Sequence, residues 1–253
     1  MNVAIITGAS SGLGIEYLKQ VSTKYSDLDE IWLVARRLDR LTELANGIAG
    51  VKCVPVALDL AKDESYIELD NRLKSSDASV SLLINNAGFG KLADVIDADV
   101  SSQTSMVDLN CKGLTGVAAV CLKHMKAGSA ILNVASIASF APNTRLTVYS
   151  STKAYVLSFT KGLHQELKGR GIKCMCVCPG PMRTEFLEVA NIAKGSSKTF
   201  DTLPYCDASE VAEKSLKALE KGRCVYTNKL FYKFYRLVAK LLPHSIVMKM
   251  SKA

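Results

Sequence analysis

The stretch VAIITGASSGLG, Val3 to Gly14, decides the fold. An apolar run from Val3 to Ile6 leads into glycines at positions 8, 12 and 14, and a helical pattern follows over Ile15 to Val21. Glycine permits a tight turn and lets backbone N–H groups come close to a pyrophosphate at the helix N-terminus, where the dipole favours negative charge. Gly8, Gly12 and Gly14, with Ser10, Ser11 and Leu13 between them, therefore form a candidate cofactor turn. The spacing Gly-x3-Gly-x-Gly departs from the commoner Gly-x-Gly-x-x-Gly. Taken alone, the triplet also fits an ordinary strand-to-helix turn.

Six more β-rich runs follow: Ile31 to Ala35, Lys52 to Ala57, Ser81 to Ile84, Ala130 to Val134, Lys173 to Val177 and Arg223 to Tyr226. Helix-length segments separate them, and the spacing predicts long helices over Ser101 to Lys126 and Ser150 to Lys168. Seven strands alternating with helices imply βαβ units and an α/β fold, a doubly wound, seven-stranded parallel sheet of Rossmann type with helices on both faces. We expect one domain over residues 1–227 and a helical extension over 228–253. The longest irregular stretch is Glu185 to Tyr205, and loops of such length in compact domains are usually functional.

The end of the second strand bears on the choice of dinucleotide. An acid there would bind a ribose 2′-OH, but LVARR carries Arg36 and Arg37, and a guanidinium fork suits a 2′-phosphate. NADP(H) is the expected cofactor, although the two arginines also fit a solvated helix start. Asp59 and Leu60, just past the third strand, are candidate adenine contacts, and Asp59 equally suits a helix cap. Asn86, Ala87 and Gly88 end the fourth strand in LLINNAGFG, at the edge where ligands of open parallel sheets lie. A glycine-ended turn is the plainer reading of that segment.

Ser136 follows the fifth strand, and Tyr149 and Lys153 come after it. A separation of four puts the last two on one helix face. An ammonium so placed is expected to lower the phenol pKa toward a useful acid or base. Thr7-Gly-x3-Gly-x-Gly14, Asn85-Asn-Ala-Gly88, Ser136, Tyr149-x3-Lys153 and Pro179-Gly180 together resemble the short-chain dehydrogenase/reductase family, in its branch of about 250 residues. The resemblance covers Val3 to Thr227. It implies that Tyr149 is the acid/base of a carbonyl–alcohol interconversion and that Lys153 lowers its pKa and holds the nicotinamide ribose. Ser136 would bind the substrate oxygen, and Asn110 would hold a water in a proton relay. Pro179, Gly180 and Thr184 would lie beside the nicotinamide. It also implies a homodimer or homotetramer built through the helices that contain Asn110 and Tyr149. An alternative function is a binding protein that senses NADP(H) and controls a partner, but such proteins commonly lose the tyrosine or the lysine, and both are present.

Of the net charge of +8, six belong to residues 228–253, which contain no acid, leaving +2 for the rest. A general nucleic-acid surface is therefore not implied. The eight cysteines include no Cys-x-x-Cys pair, and the first strand begins so early that reduced thiols and a cytoplasmic chain are expected. Cys174, Cys176 and Cys178 alternate on one strand face and read as core residues rather than metal ligands. Phe186, Leu187, Val189, Ile192, Phe200 and Leu203 suggest a lid over an apolar substrate such as a steroid, a 3-oxoacyl chain or a lipid-like ketone, and they equally suit packing of the lid on the body. Arg145 and Arg183 fall near the site motifs, where they would suit an acidic substrate or simple solvation. In KLFYKFYRLVAKLLPHSIVMKM, Lys229 to Met250, Lys229, Lys233, Arg236 and Lys240 form a basic helical stripe. The segment predicts a helix ended by Pro243 and a short turn or helix from Ile246 to Met250. Docking on the protein, near the substrate mouth or at a subunit interface, and peripheral contact with a membrane all fit this pattern.

Overall fold

The computed structural model describes residues 1–192, 195 and 197–250. Its strands are β1 (Asn2–Thr7), β2 (Glu30–Ala35), β3 (Lys52–Ala57), β4 (Ser79–Asn85), β5 (Ala130–Val134), β6 (Lys173–Val177) and β7 (Val225–Tyr226). They form one parallel sheet in the order β3-β2-β1-β4-β5-β6-β7. The helices are α1 (Gly12–Lys24), α2 (Leu38–Asn46), α3 (Glu64–Ser75), α4 (Val100–Val107), α5 (Leu114–Leu122), α6 (Thr147–Lys168), α7 (Glu185–Val189), α8 (Lys198–Thr202), α9 (Ala208–Glu220), α10 (Leu230–Leu241) and α11 (His244–Met250).

The sheet is covered on both faces, which is why β1 is buried from Val3 to Thr7 and reads as a continuous apolar run. Val3, Ile5, Trp32 and Leu83 pack under Leu69 of α3, Val117 of α5 and Leu163 of α6. Ala4, Ile6, Leu33 and Ile84 pack on the other face under Tyr17 and Leu18 of α1 and Val211 and Leu216 of α9. Truncating one such side chain to alanine costs about 2–5 kcal/mol. Cys174, Cys176 and Cys178 are buried as expected, with their sulfurs toward α6; the Cys174 thiol meets the Thr160 carbonyl.

From β1 the chain runs outward through β2 and β3, then returns to β4 on the other side of β1. This reversal opens a crevice beyond the C-terminal ends of β1 and β4. Thr7 ties the two ends together. Its Oγ1 accepts the N–H groups of Asn86 and Ala87, each at 2.9 Å, and the Asn86 amide donates to the Thr7 carbonyl at 3.0 Å.

Three expectations change. The helix expected over Ser101 to Lys126 is broken by a π-helical segment, Asp108–Gly113, between α4 and α5. There Gly113 packs so closely on the Leu60 carbonyl that a Cβ would lie 2.7 Å from its oxygen. Second, Glu185 to Tyr205 is not simply irregular, because it contains α7 and α8. Leu92 N–H donates to the Ala190 carbonyl, which fastens the end of α7 to the body, and Ile192 N–H donates to the Leu187 carbonyl within the segment; residues 193, 194 and 196 of this expected lid lie outside the described residues. Third, β7 is two residues long rather than four. The tail forms α10 and α11 on either side of Pro243, as expected. Tyr232 of α10 is fully buried, and its hydroxyl donates to the Pro204 carbonyl at 2.8 Å.

Candidate active site

The crevice opens into a cavity of about 810 Å3, within the roughly 300–1,000 Å3 usual for small-molecule sites. Its wall at the β1 end is made by Gly8, Ser10, Ser11, Gly12 and Leu13, joined by Arg36 and Arg37 after β2, and Asp59 and Leu60 after β3. Asn86, Ala87 and Gly88 follow from β4. Ser136, Tyr149, Lys153, Pro179, Gly180 and Thr184 complete the ring of anticipated residues.

Two anticipated residues do not line it. Gly14 is needed for packing, since a Cβ there would lie 2.2 Å from the Gly8 carbonyl oxygen. Asn110 sits behind the wall, buried in the π-helical segment. Its side-chain amide donates to the Phe89 carbonyl at 2.8 Å and to Thr152 Oγ1 at 3.0 Å, and its oxygen accepts the Phe89 N–H at 3.0 Å. A π segment inside a helix commonly marks a functional position. Here it delivers an amide that braces the backbone beside Gly88.

The glycine turn is shaped for close approach. Gly8 and Gly12 have φ of +63° and +52°, in the left-handed region. Ser11, the N-cap of α1, makes no capping side-chain bond to the helix. A Cβ on Gly88 would meet Asn110 Oδ1 at 2.8 Å and Lys153 Nζ at 3.2 Å. A phosphate-bearing dinucleotide fits this donor set and this space.

Tyr149 and Lys153 share one face of α6, and both are buried. Tyr149 hydrogen-bonds Ser136 through their hydroxyls, while Ser136 Oγ also accepts the Ala138 N–H at 3.1 Å. Lys153 Nζ donates to the Val134 carbonyl at 3.0 Å and lies 5.8 Å from the centre of the Tyr149 ring. The expected lowering of the phenol by the ammonium is not what this arrangement gives. Burial raises the Tyr149 phenol to about 12, opposed by the Ser136 bond, and burial lowers Lys153 to about 8. Each group is held toward its neutral form because no opposite charge accompanies it into the cavity.

The two arginines after β2 differ in their surroundings, though both line the cavity. The Arg37 guanidinium is already engaged by Glu185 of α7, whereas Arg36 is exposed and forms no ion pair among the described residues. Asp59 lines the cavity but does not cap the following helix, whose N-cap is Asp63; its Oδ1 accepts the Ala61 N–H at 3.2 Å in a local turn. Arg145 and Arg183 do not line the cavity; Arg183 lies over the Tyr205 ring, 5.4 Å from its centre. Of the apolar lid residues, Phe186, Leu187, Val189, Phe200 and Leu203 line the cavity, and Ile192 is packed into the core beneath.

Several contributors went unanticipated. Gly90 lets the Tyr149 and Phe186 rings come together, 5.6 Å between centres, since a Cβ would meet both within 3.1 Å. Thr152 holds the Asn110 amide. Tyr232, Tyr235 and Val238 of α10 and Val247 of α11 form part of the wall, in keeping with the docking near the substrate mouth expected for the tail. Of the other contributors, only Gly90 carried a local signal, as the last glycine of LLINNAGFG.

A sequence profile for short chain dehydrogenases matches residues 2–194. The chain belongs to that family. A short-chain dehydrogenase of Sphingobium yanoikuyae, solved in complex with NADPH, superposes with a TM-score of 0.81 at 27% identity, covering 95% of this chain and 93% of that one. The bulky-bulky ketone specific alcohol dehydrogenase of Comamonas testosteroni gives a TM-score of 0.76 at 27% identity, over 94% of this chain and 90% of its own. Sulfoacetaldehyde reductase 2 of Chromohalobacter salexigens is 32% identical over 221 residues, 84% of this chain and 86% of that relative. Like its relatives, this short-chain dehydrogenase is an oxidoreductase, and the resemblance read from its motifs is correct.

Proposed function

We propose that this short-chain dehydrogenase interconverts a ketone or aldehyde and an alcohol with NADP(H). The observation that carries the reading is the meeting of Ser136, Tyr149 and Lys153 in one cavity with the glycine turn and Arg36. Gly8 to Gly12 would hold the pyrophosphate, Arg36 the 2′-phosphate, and Lys153 the nicotinamide ribose, with Thr184 on the carboxamide. The bound cofactor supplies or accepts the hydride.

The chain's own residues supply the proton and the geometry. Ser136 donates a hydrogen bond to the carbonyl oxygen and steadies its developing charge. Tyr149 donates its proton to that oxygen in reduction and recovers one from the alcohol in oxidation. Burial holds the Tyr149 phenol protonated near neutral pH, so the proton that reduction requires is present on it. Asn110 is a positioning residue, and its water relay to Lys153 belongs to the proposal. Phe186, Leu187, Val189, Phe200 and Leu203 make the substrate side apolar, which supports a bulky or lipid-like ketone. The bulky-ketone name of the Comamonas relative agrees with this, while that of the sulfoacetaldehyde relative points to a small acidic substrate.

The test is a panel of hydroxysteroids, 3-oxoacyl esters and hydroxy acids with NADPH and NADH. Turnover with NADPH, reduced by about 10^2- to 10^4-fold in Tyr149→Phe with cofactor binding intact, is the expected result. Turnover of nothing, or an unchanged rate in Tyr149→Phe, would overturn the reading, and cofactor binding without turnover would favour a sensor.

A further inference from the structure

Helix α10 turns different sides to different surroundings. At about 100° per residue, Tyr232, Tyr235 and Ala239 share one side, and Tyr232 and Ala239 are buried against the body. On the opposite side Leu230, Phe234, Leu237 and Leu241 recur at intervals of four, three and four and make a single line. They are 81%, 65%, 53% and 70% exposed. Lys233 and Lys240 border this line, Lys229 stands at its start, and α11 adds the exposed Ile246 and Lys249, while Arg236 is turned toward the body, 6.0 Å from the centre of the Phe140 ring. None of these five cations forms an ion pair among the described residues.

A line of four large apolar side chains on a helix marks a contact surface. Charge decides what it contacts. Residues 228–253 contain no Asp or Glu, so a second copy meeting this face about a two-fold axis would set these cations against their own equivalents. An anionic lipid surface instead accepts both the apolar line and its basic border. The face is also continuous with the cavity: Phe231 lines the cavity and is itself 53% exposed. No helix among the described residues is long and apolar enough to cross a membrane, so the contact lies in the interface plane.

We infer that α10 and α11 form a foot that seats this chain on an anionic phospholipid bilayer, with the cavity rim at the lipid surface. The inference stands on binding alone and is independent of the catalytic reading.

The test is co-sedimentation of the full chain with vesicles of phosphatidylcholine alone and of phosphatidylcholine carrying about 30 mol % phosphatidylglycerol. Binding is expected only to the anionic vesicles and should fall by about tenfold or more at roughly 0.5 M salt. The double variant Phe234→Glu, Leu241→Glu alters exposed residues that do not line the cavity, and melting temperature checks its fold. It should lose vesicle binding by about tenfold or more. Failure of the unaltered chain to bind, equal binding to both vesicle types, or unchanged binding of the variant would each overturn the inference. So would a variant of lower solution mass than the unaltered chain, which would assign the face to a subunit contact.

Discussion

Arg37 and Glu185 clasp the two walls of the cavity with a two-point ion pair. Arg37 Nη1 lies 2.7 Å from Glu185 Oε1 and Nη2 lies 3.0 Å from Oε2, while Nη2 also donates to Ser10 Oγ at 3.1 Å. Arg40 approaches the same carboxylate at 3.5 Å. The pairing with Arg37 lowers the Glu185 carboxyl below its usual range, so it is charged at neutral pH. A ribose 2′-phosphate and this carboxylate would therefore compete for one guanidinium fork.

Replacing Glu185 with Gln should tighten NADPH by about two- to fivefold, the scale of a partly exposed ion pair, and leave NADH unchanged. Paired fluorescence titrations decide it. A tighter NADH, or an unmoved NADPH, would mean that the clasp and the phosphate do not meet.

Arg36, the residue before that fork, is exposed and has no ion pair among the described residues. Arg36→Asp should weaken NADPH by about tenfold or more while NADH is tolerated, because a carboxylate repels the phosphate and suits a 2′-hydroxyl. The ratio of the two dissociation constants is the measurement.

Lys153 is buried with its pKa lowered to about 8, against about 10.4 for a free lysine. Below pH 8 it is charged in both states, and the folded chain bears the cost of the buried charge. Between pH 8 and the unfolded value the unfolded chain binds more protons, so this group makes stability rise with pH. In the cofactor-free chain, Lys153→Met should therefore raise the melting temperature at pH 7, by about 4–8 °C once about 1 kcal/mol is allowed for the lost Val134 bond. The advantage should shrink as pH approaches 10, while turnover is lost. A variant that melts lower at pH 7 would show that the ammonium is not a burden to the fold.

Gly180 abuts the ring of Tyr232 so closely that a Cβ would lie 2.2 Å from it. The ring is fully buried and cannot swing aside, so Gly180→Ala should cost about 1–3 kcal/mol. Combining it with Tyr232→Leu should lose less stability than the two single changes added together. Strict additivity in thermal melts would place the strain elsewhere.

The glycine turn, the arginines after β2 and the Tyr149–Lys153 pair were legible because each lies within one strand–turn–helix unit, where local spacing fixes geometry. The Arg37–Glu185 clasp was not, since its partners are 148 residues apart and each looks solvated by itself. The burden on Lys153 depends on the whole cavity wall, so an i, i+4 pairing argument pointed the phenol shift the wrong way. In the tail, periodicity showed the cations, but only docking of Tyr232 separates the inward apolar residues from the outward ones.

The π-helical turn before α5 carries one residue more than an α-helical path would need. That residue advances everything after it by about 100° around the axis. Val117, Ala118 and Cys121 reach the sheet only with this offset in place. Deleting a residue to heal the helix would swing all three out of register with β4 and β5, apart from any loss of the Asn110 amide. The bracing amide and the underside of α5 thus share a reading frame, and the length of this segment is constrained even where its individual side chains are free to vary.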